Sequence, residues 1–272
     1  MKNIFQAVIL CGGYGTRIKK ITKYTPKPLI KFFDNNFIEY LIFNLSRYKI
    51  REILLLIHYK QKLFKKLYDN KIFYGVKIKC IASKKPLGTG GSIKISERFL
   101  QKYFLLCNGD TLFNFNYTKF ISKIDKNKTV TTAYGIDFVS KKQKSSGNYL
   151  VNKNKIFKKI KEFHGDKFSL EADLMPLIKN KKQEKYKNYY LDIGSYKGIK
   201  FAPSWIKKNI LRKFVIFDRD GVLNIDKGYV FKKKDFFWNK NIFSVLKYLN
   251  KKNYLIFIIT NQSGIGRGYY SI

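Results

Sequence analysis

A chain of 272 residues that is 45% hydrophobic and 17% aromatic is long and apolar enough to build one large or two modest domains. No run of about 18 uncharged apolar residues occurs, which excludes a transmembrane helix. The formal charge of +38 comes from 56 basic residues of which only seven are Arg. Lys spread along the whole chain is a solvated surface and argues against a sequence-specific nucleic-acid reader, which leans on Arg. Non-specific attraction to polyanions at low salt is still expected.

In chain order, the apolar run Ile4–Leu10 reads as a buried strand that stops at Gly12, Gly13 and Gly15. It leaves no room for a signal peptide ahead of it. Thr16 and Arg17 follow, and then Lys27 between two prolines. Glycines let backbone N–H groups approach an anion closely, and Arg17 and Lys27 supply charge, so the stretch reads as a phosphate holder. Its spacing is neither G-x-G-x-x-G nor G-x-x-x-x-G-K-S/T. Phe37–Tyr48 has helical periodicity, Glu52–Ile57 is an apolar strand, His58–Tyr68 is amphipathic and Val76–Ala82 is a third strand. The glycine segment Pro86–Gly91 opens a helical run to Leu100. Tyr103–Cys107 is a fourth strand, and Asp110 stands just past its C-terminal end, where open α/β sheets bind ligands. Val130–Gly135 is a fifth. This alternation predicts an α/β fold with a largely parallel sheet. Cys11, Cys80 and Cys107 have no C-x-x-C spacing and read as buried small hydrophobes of a reducing cytosol.

Leu10, Gly12, Gly13, Gly15, Thr16, Arg17, Thr22 and Pro26-Lys27-Pro28-Leu29 together resemble the signature of the sugar-phosphate nucleotidyltransferases. The resemblance implies a Rossmann-like, mixed but mostly parallel sheet of the GT-A-like kind. It implies that Leu10, Gly12, Gly13, Gly15 and Thr16 bind nucleotide and that Arg17 and Lys27 are catalytic. Gly88, Thr89 and Gly90 resemble the family's P-L-G-T-G-G segment beside the nucleotide. Asp110 in N-G-D, and Asp192 in Tyr189–Ser195 (resembling Y-x-D-I-G-T), match its two Mg²⁺ ligands. Phe168-Ser169-Leu170-Glu171 resembles F-S-L-E, whose glutamate bonds sugar hydroxyls, and Ser169 also reads as a helix N-cap. Between these, Gly147-Asn148-Tyr149 and Ile156–Phe163 resemble the family's hairpin. The E-K pair and the N-A/G-G strand that line the sugar pocket are not found in the expected place after Phe163. A sheet edge and an open pocket wall are expected there.

Tyr196–Ile210 is helix-like and Lys-rich, and closes a first domain of residues 1–210. In residues 211–272 the apolar strand at Phe214 ends in Asp218-Arg219-Asp220-Gly221, and Tyr254–Ile259 ends in Thr260–Gly268. These two strings resemble the first two motifs of the haloacid dehalogenase-like phosphatases, most closely the heptose bisphosphate and histidinol phosphate subgroup. The likeness implies Asp218 as nucleophile, Asp220 as acid and base, and Mg²⁺ at both. It implies Thr260 and Asn261 on the phosphoryl group and Arg267 on the substrate's far phosphate. The third-motif lysine and fourth-motif acidic ligands are not in the chain. No phosphatase activity is expected, and the fragment should expose an open parallel-sheet edge.

The combined expectation is a cytoplasmic enzyme of nucleotide-sugar synthesis for lipopolysaccharide or surface glycan. It would use Mg²⁺ to join an NTP, GTP favoured, to a sugar 1-phosphate, with a sugar bisphosphate for the second domain. No specific nucleic acid and no membrane partner are expected, and oligomerisation stays open. The alternative is a non-catalytic remnant that keeps the motifs without complete sites.

Overall fold

The computed structural model describes residues 4–211, 213–252 and 254–271. They form two compact units, Met1–Ile206 and Lys207–Ile272. The division falls within the helix Tyr196–Asn209, just short of the expected boundary at 210.

The strands of the first unit are β1 (Gln6–Leu10), β2 (Lys31–Phe32), β3 (Asn35–Asn36), β4 (Glu52–Ile57), β5 (Lys71–Phe73), β6 (Val76–Ala82), β7 (Tyr103–Asn108), β8 (Thr111–Phe113), β9 (Val130–Asp137), β10 (Gln143–Asn152) and β11 (Lys181–Asp192). All but the β2–β3 ribbon join one sheet in the order β5-β6-β4-β1-β7-β10-β9-β11-β8. The block β6-β4-β1-β7 is parallel. Its strands read as continuous apolar runs because both faces are covered: Ala7, Val8 and Ile9 of β1 and Ile53, Leu54 and Leu55 of β4 are fully buried.

The helix Phe37–Ser46 starts at a capping box made by Asn36 and Glu39 and buries Phe37, Ile38, Leu41, Ile42 and Leu45. The expected helix His58–Tyr68 begins only at Gln61, which leaves His58 and Tyr59 in the loop beyond β4. The run after Pro86 breaks into the helix Gly88–Ile95 and the short turn Glu97–Phe99. Its three glycines cost about 1 kcal/mol each in helix propensity. Burial of Ile93 and the close approach of residues 166–168 offset that cost.

Two expectations need correction. Ile156–Phe163 does not form a hairpin strand. Lys153–Lys161 is a helix whose first turn is capped by the Asn152 side chain, which accepts from Lys155 N, and it buries Ile156, Phe157 and Ile160 on one face. Nor does the sheet lose a strand. β10 fills the place between β7 and β9, antiparallel to both, and carries Ser146-Gly147-Asn148-Tyr149 in the middle of the sheet. β9 and β10 are joined by the tight connection of residues 138–142.

The second unit pairs β12 (Phe214–Asp218) with β13 (Leu255–Ile259) in parallel, flanked by the helices Ile242–Lys251 and Ser263–Gly266. This pair is a sheet of only two strands, and Phe214, Ile216, Phe257, Ile258 and Ile259 are each half exposed or more.

Candidate active site

β1 and β7 are neighbours, and β1 connects onward to β4 on its other side, so the crevice at the C-terminal ends of β1 and β7 is a topological switch point. The glycine loop leaves β1 there. Cys11 N donates to Leu56 O at 2.8 Å, and Gly109 N, past β7, donates to Leu10 O at 3.0 Å. Gly15 has φ 68°, and a Cβ on it would lie 2.6 Å from Thr22 Cγ2. Thr22 in turn donates its hydroxyl to Gly15 O (3.0 Å) and Ile18 O (3.2 Å). Tyr59, just past β4, donates to Thr22 O and Lys23 O.

Tyr14 adds a second tie that the sequence did not reveal. Its hydroxyl lies 3.0 Å from His58 Nε2, and its ring packs on those of His58 and Tyr59. His58 Nδ1 stands 3.1 Å from Ser83 O, an acceptor only. Nδ1 therefore carries the proton, and Nε2 accepts from Tyr14. Tyr14→Phe should raise the KM for nucleotide about fivefold, the equivalent of one lost hydrogen bond near 1 kcal/mol. Steady-state kinetics beside a thermal melt checks this, with the melting temperature expected to stay put because Tyr14 is half exposed.

Asp110 and Asp192 come together although the sequence separates them widely. Asp192 is the last residue of β11, opposite Thr111 of β8, and Ile193 N donates to Asp110 O. Lys27 Nζ lies 2.8 Å from Asp110 Oδ2, with both side chains largely covered. Arg17 lies beside Asp192, close enough that a Cβ on Gly194 would sit 2.6 Å from its guanidinium. Burial pushes the Asp192 carboxyl up from its ordinary value, and the nearby Asp110 carboxylate pushes the same way. The Gly194 N–H, Lys27 and Arg17 oppose that rise only in part.

A raised Asp192 carboxyl beside Asp110 suits a hard divalent cation, which would relieve the repulsion between them. No group of three or more His, Cys, Asp or Glu gathers among the described residues. Mg²⁺ commonly takes one or two carboxylates and completes its shell with water and phosphate oxygens. The residues therefore fit Mg²⁺ held by Asp110 and Asp192.

The sign of the Asp192 shift has a consequence for stability. A carboxyl raised in the folded state contributes stability that is present below its unfolded value near 3.8 and is lost as pH rises through the folded value. At pH 7 and without metal, Asp192→Asn should therefore melt higher than the parent chain. Thermal melts in EDTA at pH 7 and pH 4 check this, and the difference should shrink at the lower pH.

Lys27 and Asp110 line a cavity of about 530 Å³ together with Leu10, Gly12, Gly13, Gly88, Thr89 and Glu171, while Arg17 and Asp192 lie outside its lining. Gly88 has φ 72°, and a Cβ there would meet Phe168 O. Gly90 N donates to that same carbonyl, and Phe168 N donates to Leu87 O, which bolts residues 166–168 onto the glycine segment. Thr89 Oγ1 accepts from Leu170 N (2.7 Å) and lies 3.3 Å from Glu171 Oε2. Tyr149 of β10 reaches Glu171 Oε1 at 3.4 Å. Ser169 caps the turn after it, accepting from Ala172 N at 3.1 Å. β10 therefore supports Glu171 from behind through Tyr149, without itself lining the cavity. Gly15, Thr16 and Gly90 shape the loop and helix around the cavity without lining it. The three cysteines are buried thiols; burial pushes Cys80 up to about 12 and Cys11 and Cys107 well above their ordinary value.

In the second unit, the parallel register Asp218↔Ile259 brings Asp218 and Thr260 to one end of the β12–β13 pair. Gln262 donates to Asp220 Oδ2 (2.8 Å) and to Thr260 Oγ1 (2.7 Å). Arg219 grips both oxygens of Asp220, at 3.1 and 2.8 Å, and Asn224 adds a third bond. Partial burial raises the Asp220 carboxyl, but these donors outweigh it and hold it below its ordinary value. Arg219, Asn224 and Gln262 lie inside the motif strings, yet nothing in the strings marks them as carboxylate partners. The side chains of Asn261 and Arg267 make no hydrogen bond or ion pair among the described residues. With both Asp220 oxygens engaged by donors, this arrangement does not fit a metal ion, and no metal-dependent step follows from it.

A glycine loop, two cations and a carboxylate pair at the switch point of a mostly parallel sheet have the make-up of an α/β nucleotidyltransferase. The chain belongs to the nucleotidyl transferase family, whose model matches residues 6–164. It is 34% identical over 214 residues to D-glycero-alpha-D-manno-heptose 1-phosphate guanylyltransferase of Campylobacter jejuni, covering 70% of this chain and 94% of that one. Among solved structures it is similar to HddC from Yersinia pseudotuberculosis complexed with GMP-PN. The TM-score is 0.64 and the identity 27%, covering 74% of this chain and 99% of that one. Residues 213–271 match the model described as polynucleotide kinase 3 phosphatase. The chain is also 53% identical over 60 residues to D-glycero-beta-D-manno-heptose-1,7-bisphosphate 7-phosphatase of Helicobacter pylori, covering 22% of this chain. The chain spans about a third (35%) of that relative's length. No helix among the described residues is long and apolar enough to cross a membrane.

Proposed function

We propose that the first unit transfers a guanylyl group from GTP to a heptose 1-phosphate. A phosphate oxygen of the sugar forms a bond to the α-phosphorus, the bond from that phosphorus to the bridging oxygen breaks, and pyrophosphate leaves with the electron pair. The loop amides of residues 12–17 hold the triphosphate, and Lys27 and Arg17 spread its charge. Asp110 and Asp192 would hold Mg²⁺, which supplies further neutralisation of phosphate charge when bound. Glu171, braced by Thr89 and Tyr149, faces the same cavity and would bond sugar hydroxyls. The observation that carries this reading is the assembled Lys27–Asp110–Asp192–Arg17 group, in a chain matching a guanylyltransferase over 94% of that relative's length.

The second unit belongs to the preceding step in the same reading, removal of a phosphate from a heptose bisphosphate. An ionised Asp220 pinned by Arg219 is a poor proton donor. No phosphate release is therefore expected from it in this form. A cytoplasmic location, where nucleotides are drawn upon, completes the proposal.

The test is a pyrophosphate-release assay with Mg²⁺, pairing GTP, UTP, CTP and ATP with heptose 1-phosphate and with hexose 1-phosphates. Turnover that is fastest with GTP and heptose 1-phosphate supports the reading. Turnover confined to another nucleotide, or none with any pair, sinks it. Inorganic phosphate released from heptose 1,7-bisphosphate would overturn the assignment of the second unit as inactive.

A further inference from the structure

The tight connection between β9 and β10 leaves no lysine of that hairpin at the cavity. Lys141 lies over the rings of Phe138 and Tyr189, at 4.0 and 5.2 Å, and Lys144 reaches Asp137 at 3.8 Å. The cavity is instead lined by two lysines, Lys27 and Lys167. Lys27 is engaged with Asp110. Lys167 makes no hydrogen bond or ion pair among the described residues, whereas Lys85 and Lys94 are both drawn to Asp166, at 3.4 and 3.2 Å. Glu171 does not claim Lys167 either, being bonded to Thr89 and Tyr149.

Lys167 is nevertheless held in place by its backbone. Phe168 N donates to Leu87 O at 3.0 Å, Gly90 N donates to Phe168 O at 3.0 Å, and Leu170 N donates to Thr89 Oγ1 at 2.7 Å. Lys167 is exposed and lines the cavity, and an unpaired ammonium on a fixed segment at a cavity's edge is a receptor for an anion. The triphosphate already has the glycine-loop amides, Arg17 and Lys27. The segment that carries Lys167 continues directly into Glu171, the group placed for sugar hydroxyls.

We propose that Lys167 receives the phosphate of the acceptor sugar 1-phosphate and so sets the affinity for that substrate. The role is separate from that of Lys27 and Arg17, and it rests on the nucleotidyl-transfer reading above. Its prediction concerns one substrate only: the KM for sugar 1-phosphate should depend on a cation at 167, and the KM for nucleotide should not.

The experiment varies both substrates in turn with the full chain, Lys167→Ala and Lys167→Arg, beside a thermal melt of each. In Lys167→Ala the KM for heptose 1-phosphate should rise about tenfold, as expected when a hydrogen bond to a charged group is lost, and the KM for GTP should stay within about twofold. Lys167→Arg should recover most of the loss. An unchanged acceptor KM in the alanine variant overturns the proposal, as does an equal rise in both KM values. A parent chain that turns over no sugar 1-phosphate removes the nucleotidyl-transfer reading and Lys167's role with it, which a working parent with an indifferent Lys167→Ala does not.

Discussion

Asp110→Asn should reduce pyrophosphate release by roughly 10³-fold, the scale of removing one main electrostatic stabiliser from a phosphoryl-transfer site. The fold should survive. Breaking a buried ion pair usually costs about 3–5 kcal/mol, because one charge is left uncompensated. Two local effects reduce that cost. The Asn amide oxygen can still accept from Lys27 Nζ, which lies 2.8 Å from the carboxylate it replaces. Removing the Asp110 charge also removes one of the causes that raise Asp192. Pyrophosphate release at saturating Mg²⁺, with far-UV circular dichroism and a thermal melt on the same sample, separates lost chemistry from lost structure. Near-parental turnover in Asp110→Asn would remove Asp110 from the metal site.

Gly91→Ala should destabilise the first unit by about 3 kcal/mol, at the upper end for overpacking a tight contact. A Cβ at Gly91 would run into the carbonyl oxygen of Asp166 and stand 2.9 Å from Leu87 Cβ. Backbone cannot rotate away as a flexible side chain can, so residues 166–168 would have to lift from the helix Gly88–Ile95. That movement would also displace Lys167 and the turn leading to Glu171, so activity should fall with stability. Gly75→Ala is the matched control. Gly75, unlike Gly91, has a left-handed φ of 74°, and nothing lies within 4 Å of its Cβ position. Only backbone strain applies there, about 1 kcal/mol. Denaturant midpoints of the two variants measure the difference. Equal losses would mean that the contact with Asp166 is not the source.

Much of the geometry of the candidate site was legible because the sequence itself imposes it. Glycines at 12, 13 and 15 after a buried strand, and carboxylates just past strand ends, have few other uses together. The meeting of Asp110 and Asp192 was expected from resemblance, but its cause, the β8–β11 ladder, was not. β11 alternates Lys, Gln, Glu and Tyr over Lys181–Asp192, with little of the apolar signal by which strands are found. The hairpin assigned to Ile156–Phe163 failed for a local reason. Ile156, Phe157 and Ile160 have the spacing of one helix face, and Asn152 provides the cap. Tyr14 and His58 were missed because their pairing depends on the loop and β4 ending side by side, which no local pattern encodes.

The half-exposed aromatic and aliphatic side chains on the β12–β13 pair give the excess of lysine a colloidal meaning. Copies that each carry +38 repel one another before such faces can touch. That repulsion reaches about 10 Å in 0.1 M salt but only about 3 Å at 1 M. Brine, which usually disperses a basic protein from its anionic contaminants, should drive this one to cluster through Phe214, Phe257 and their neighbours. Purification is therefore best begun at moderate ionic strength.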